Sequence, residues 1–342
     1  MVAEAGSSVT CSRVVHESIL SYGMIELGCL MKMKKRKLII DTDCGSDDAM
    51  AIAIALNDPA YEIVMFTTLT GNVLLKQATA NLLTTLKVSD SYYPPVYMGE
   101  DRPLKRQFIG SADTHGEDGM GDLDLVDYTL VPEKGNAVDR IIEVLEESEE
   151  KSIDIVALGP LTNLCKVAMK RPEILKKAGK IVCMASQGFG EGNMSEFAEF
   201  NIFQDPEACQ GILDLKLNNL YFVSWEACLG ECILDQDDIN ELDRMSKLSN
   251  FMIRCNRQLL ELNRQRFEKD CLDMADPAAM IAYLNPECIE ECRRFCCNVM
   301  LKDDDPHYGE LLIEDDIERA NVYLISRLNG EIYKRILKER LK

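Results

Sequence analysis

Short apolar runs that break off into small or acidic residues recur along this chain, each followed by a longer stretch whose apolar positions return at helical spacing. The first run, residues 38–40 (Leu38, Ile39, Ile40), follows a basic segment and stops at Asp41, Thr42 and Asp43. It reads as a buried strand ending in an acidic turn. Gly45 and Ser46 supply turn and capping chemistry, and residues 49–56 are apolar on every side, which predicts a helix buried within a domain. Residues 62–68, 153–158, 180–184 and 220–224 predict further strands, with helices running to about residue 88, to residue 170 and onward from Pro206. Strands alternating with helices predict an α/β fold, a mostly parallel sheet flanked by helices. No repeat, low-complexity tract or linker rich in Pro, Gly or Ser interrupts the pattern, so residues 34–342 read as a single large domain. Residues 1–33 read as an N-terminal extension without the apolar centre and cleavage site of a signal peptide.

The polar positions concentrate at the carboxyl ends of the strands. Asp41, Asp43, Asp47 and Asp48 fall within eight residues that contain no Lys or Arg. One such aspartate is accounted for by a turn or by the helix dipole. Four together repel one another unless a cation is held between them, and oxygen ligands without His or Cys select calcium or magnesium. The edge they occupy is where open α/β sheets place ligands.

Composition narrows the partners. The 58 acidic against 38 basic residues give a formal charge of -20, which argues against nucleic acid and anionic membranes. No apolar run approaches the roughly 20 residues needed to cross a bilayer. Fourteen cysteines scattered through apolar positions, without a secretion signal, predict reduced thiols and a cytoplasmic location. Cys288, Cys292, Cys296 and Cys297 lack metal-site spacing and read as one face of a half-buried strand or helix.

The acidic opening, with Asp41-Thr42-Asp43 and Gly45-Ser46-Asp47-Asp48-Ala49, resembles that of the nucleoside hydrolases, calcium-dependent enzymes that cut the N-glycosidic bond of ribonucleosides. Thr70-Gly71-Asn72 is similar to the family's Gly-Asn, His115-Gly116 with Asp118, Gly119 and Gly121 to its HGxDGxG loop, and Leu158-Gly159-Pro160 to the segment whose carbonyl binds calcium. Gly192-Asn193, Ala198-Glu199-Phe200-Asn201 and Asp205-Pro206 resemble the ribose-holding loop, and Asp276-Pro277 the distant Asp-Pro. The resemblance runs from about residue 37 to the C-terminus. It implies calcium held by Asp43, Asp48, Asp276 and the Leu158 carbonyl, with Asp43 also taking the proton of the attacking water. It further implies Asn72 and His115 beside the reacting centre, and Asp47, Asn72, Asn193, Glu199, Phe200 and Asn201 on the nucleoside. A homodimer or homotetramer is implied as well.

The chain departs from the family on the base side. Ala275 stands where purine-handling members carry a His proposed to protonate the leaving base, Ala185-Ser186 replaces a Gly-Gly, and Ser195 and Glu196 replace a Thr-Pro. The mixed-charge stretch Arg264-Gln265-Arg266-Phe267-Glu268 has the character of a lid and is one source of a substitute group. Two other functions fit parts of the pattern. A haloacid-dehalogenase-type phosphatase would use Asp41 as nucleophile and Asp43 as acid, and a non-catalytic ribose or nucleoside binder would keep the metal and lose turnover.

Overall fold

The computed structural model describes residues 35–342, and the expected extension over residues 1–33 lies outside the described residues. The chain opens with β1 (Arg36–Thr42) and α1 (Ser46–Leu56), then β2 (Tyr61–Thr68), α2 (Leu75–Ser89) and the short β3 (Val96–Met98). The one-turn α3 (Ala112–His115) and α4 (Ala137–Glu147) lead to β4 (Ile153–Ala157), α5 (Thr162–Lys170) and β5 (Ile181–Met184). Next come α6 (Phe200–Gln204), α7 (Pro206–Leu213) and β6 (Leu220–Val223). Four helices follow, α8 (Gln236–Met245), α9 (Lys247–Cys255), α10 (Arg257–Phe267) and α11 (Ala275–Leu284). The described chain closes with β7 (Ile289–Val299), β8 (Leu311–Glu314), β9 (Val322–Leu328) and α12 (Gly330–Arg340).

The strands form one sheet in the order β3-β2-β1-β4-β5-β6-β9-β7-β8. All neighbours from β3 to β9 pair in parallel, and β7 runs antiparallel to both β9 and β8. Side chains alternate across β1: Leu38 and Ile40 join the core under α1 and α11, while Ile39 joins the core on the opposite face with residues of α4, α5 and α7. Burial on both faces is why these strands read as unbroken apolar runs. At the amino end of the strands Arg36 donates to Asp154, Nε to Oδ2 at 2.6 Å, and the Tyr283 hydroxyl donates to the same carboxylate at 2.9 Å. This contact ties β1, β4 and α11 together at the end of the sheet away from the acidic turn.

The strand order reverses between β1 and β4, which part there to lead to opposite sides of the sheet. In open α/β sheets the crevice at that point is the binding site. Every residue of α1 is buried, and α11 packs alongside it, buried throughout except at Ala275. The amino ends of both helices meet over the carboxyl end of β1. The strands β8 and β9 and the helices α8 and α9 have no counterpart in the sequence reading. The four clustered cysteines do map to β7 or the residue before it, and the twelve cysteines among the described residues are unbridged.

Candidate active site at the switch point of the sheet

The β1 register sets Asp41 opposite Thr67 on one side and Ala157 on the other. Its Oδ1 accepts from Thr67 Oγ1 at 2.5 Å and from Asn163 Nδ2 at 2.7 Å, and burial pushes its pKa up to about 6. Asp41 is wholly buried, and through these two bonds its Oδ1 braces β1 against β2 and α5, while its Oδ2 has no hydrogen-bond partner.

Beyond it the chain turns so that Asp43 and the first turn of α1 face one another. Asp48 accepts from Thr42 Oγ1, from Gly45 N at 2.8 Å and from Asn72 Nδ2 at 3.2 Å. Asp43 Oδ2 accepts from Asn72 N at 2.6 Å, while its Oδ1 is buried with no hydrogen-bond partner. Two glycines close around this carboxylate. A Cβ on Gly71 would collide with Asp43 Oδ2, and one on Gly159 would lie 2.6 Å from Oδ1.

Asp47, Asp48 and Asp276 present oxygens that all lie within 4.8 Å of one another. The ligand set implied by resemblance names Asp43 in place of Asp47; here Asp47 stands in the tight group and Asp43 adjoins it. Burial, and then the Asp48 charge, hold the Asp43 carboxyl well above its ordinary range. Asp276 is raised by burial and by Asp47, Asp48 and Asp43, and Asp48 is raised to about 7 by burial and by Asp47. Two helix amino ends favour these carboxylates but do not neutralise four of them. An orphaned oxygen, an all-oxygen donor set and unrelieved repulsion fit a hard divalent cation.

Above the carboxylates lies a cavity of about 210 Å³. Asp47, Asn72, His115, Leu158, Asn193, Glu199, Phe200, Asn201 and Asp276 line it, whereas Asp43 and Asp48 are wholly buried outside that lining. Asn72 is fixed from several sides, since its Oδ1 accepts from Ser111 Oγ at 2.7 Å. His115 Nδ1 lies 2.8 Å from Ser46 Oγ, and its Nε2 lies 3.7 Å from Asp47 Oδ1. Burial lowers the His115 pKa, which favours the neutral ring. The glycines after it, Gly116, Gly119 and Gly121, all have positive φ, as a loop folded back on itself requires.

The loop after β5 reaches over the cavity from the other side. Glu199 caps α6, its Oε1 accepting from Asn201 N at 2.7 Å, and burial raises its pKa to about 7. Asn201 Nδ2 donates to the Leu158 carbonyl at 2.7 Å and to the Met184 carbonyl at 3.1 Å. Asn193 Oδ1 accepts from Phe200 N at 2.8 Å, which fixes the loop. Sequence reasoning singled out all of these residues but gave no role to Ser111, Met184, Trp225, Leu259 or Asp273, which also line the cavity. The expected lid stretch is the last turn of α10 with its cap, and from it only Arg266 joins the cavity wall.

Comparison with known proteins agrees with this architecture. A family model for the inosine-uridine preferring nucleoside hydrolases matches residues 38–335. The chain is 36% identical over 174 residues to the inosine-uridine preferring nucleoside hydrolase of Crithidia fasciculata, covering 51% of this chain and 55% of that one. It is 31% identical over 262 residues to a probable uridine nucleosidase of Oryza sativa, covering 76% and 80%. With several relatives, the Crithidia protein among them, the aligned stretch spans only about half of their length. Among solved structures, a plant nucleoside hydrolase superposes with a TM-score of 0.82 at 28% identity, covering 90% of this chain and 99% of that one. Because the family match begins in β1 and ends within α12, it takes in the whole sheet and every strand end that builds the cavity: the chain belongs to the inosine-uridine preferring nucleoside hydrolase family.

Proposed function

We propose that this protein hydrolyses the N-glycosidic bond of ribonucleosides to free base and ribose, with calcium as its metal. The observation that carries the reading is the cluster of buried carboxylates at the switch point, lying directly beneath a cavity whose other polar side chains suit a sugar. Asp47, Asp48 and Asp276 would hold the cation, with Asp43 and the Leu158 carbonyl, the other ligands the resemblance implies, completing the set. When bound, calcium acidifies water and orients sugar hydroxyls.

The protein's own groups supply the rest. Asp43 has an unpartnered oxygen and a raised proton affinity, which suit a general base taking the water's proton. Asp47, Asn193, Glu199 and Asn201 hold the ribose, and their negative or acceptor atoms favour the cationic sugar that forms as the C1′–N bond opens. Phe200 packs against the nucleoside, and Asn72 and His115 stand beside the reacting centre. The names of the relatives point to inosine and uridine as first substrates to try. The test is incubation with a panel of purine and pyrimidine ribonucleosides, scoring ribose and base. Equimolar release from at least one is expected; release from none would overturn the reading in favour of a non-catalytic binder.

A further inference from the structure

Ala275, at the start of α11, puts a methyl group in the cavity wall and offers the departing base no proton. Across the described lining, Arg266 is the only Lys or Arg, amid Asp47, Asp113, Glu199, Asp273 and Asp276. Its guanidinium lies over the Trp225 ring, 5.7 Å from the centroid, and 3.8 Å from Asp273 Oδ2. Asp273 is itself buried and accepts from Asn263 Nδ2 at 2.6 Å. Aromatic face and carboxylate thus hold the guanidinium in place, yet no protein acceptor among the described residues takes a hydrogen bond from it. Its donors are available to a ligand.

We propose that Arg266 is the group that receives the leaving base, stabilising its negative charge and selecting bases that present hydrogen-bond acceptors; this rests on the hydrolase reading above. The reaction leaves the sugar cationic and the base anionic, and Arg266 is the one Lys or Arg in the described lining that can meet the anion. As the C1′–N bond breaks, its electron pair stays with the base. Water's hydroxyl goes to C1′ and its proton to Asp43. A guanidinium does not surrender a proton at neutral pH, so Arg266 holds the anionic base by charge-assisted hydrogen bonds until solvent protonates it. Paired acceptors such as O6 and N7 of a 6-oxopurine suit a donor-only fork, whereas the N6 amino group of adenine sets donor against donor.

The experiment compares inosine, adenosine and p-nitrophenyl riboside, whose leaving group departs readily without help, in the native protein, Arg266→Gln and Arg266→Lys. In Arg266→Gln the ratio of kcat for inosine to kcat for p-nitrophenyl riboside should fall about 10²-fold, as for loss of one stabilising donor group. The preference for inosine over adenosine should shrink with it, and Arg266→Lys should restore part of both ratios. Ratios that hold steady in Arg266→Gln would overturn the proposal while leaving the hydrolase reading intact. A native protein that releases ribose from uridine but from none of the three overturns this proposal alone, and one that releases none from uridine either overturns both.

Discussion

Asp47 belongs at once to the acidic group and to the cavity wall, with Oδ1 facing His115 and Oδ2 accepting from the Asp276 amide at 3.5 Å. A side chain so placed suits a sugar hydroxyl lying against the carboxylates. Ribosides should therefore be preferred over 2′-deoxyribosides by about 10⁴-fold in kcat/KM, because a buried polar site left unpaired rejects the analogue that lacks its partner. Similar values for uridine and deoxyuridine would show that Asp47 and Asn201 do not read the ribose. At this scale the sequence was legible where chemistry was dense. Asp43, Asp47 and Asp48 announced themselves as neighbours without a counter-charge, while Asp276 stands more than 220 positions from them and was tied to them by resemblance alone. Arg266, Trp225 and Asp273 come from a helix end, a strand end and a loop, and no local pattern shows that they share a wall.

The same contrast holds among the elements. The parallel strands β1, β2, β4, β5 and β6 were readable because burial on both faces leaves a mostly apolar run in each, and α1 for the same reason beyond its acidic first turn. β7 was not, since it carries exposed and half-exposed Arg293 and Arg294 near the edge of the sheet and alternates with buried positions only at its far end. The turn leaving β4 shows how closely these elements fit: Gly159 has no room for a methyl group beside Asp43. Gly159→Ala should cut ribose release by about 10²-fold or more through displacement of that carboxylate. The accompanying overpacking should cost about 1–3 kcal/mol of stability, leaving the protein folded. Circular dichroism and turnover measured on the same preparation decide the matter, and native turnover in a folded variant would contradict the placement of Asp43.

Across the whole molecule, stability should depend on pH in an unusual direction when metal is removed. Burial, which disfavours the charged forms, raises the Asp41 carboxyl to about 6 and Glu199 to about 7, and burial with the Asp47 charge raises Asp48 as well. Between pH 4 and about 6 the unfolded chain has released these protons while the folded chain still holds them. The stability they confer is present below pH 4 and is lost as pH rises through 7. The Tm of chelator-treated protein should fall by at least about 3 °C between pH 5 and pH 8. Calcium added at pH 8 should raise it again by binding the folded state alone. A chelated protein more stable at pH 8 than at pH 5, and indifferent to calcium, would contradict the cluster's role.

Ribose release is the reading that joins these scales, measured on one nucleoside with native protein, with chelated protein to which calcium is returned, and with Asp43→Asn. The account predicts turnover that is lost on chelation, regained with calcium, and reduced by about 10³-fold or more in Asp43→Asn without loss of ribose affinity. Undiminished turnover in demonstrably metal-free protein, or in Asp43→Asn, would contradict it.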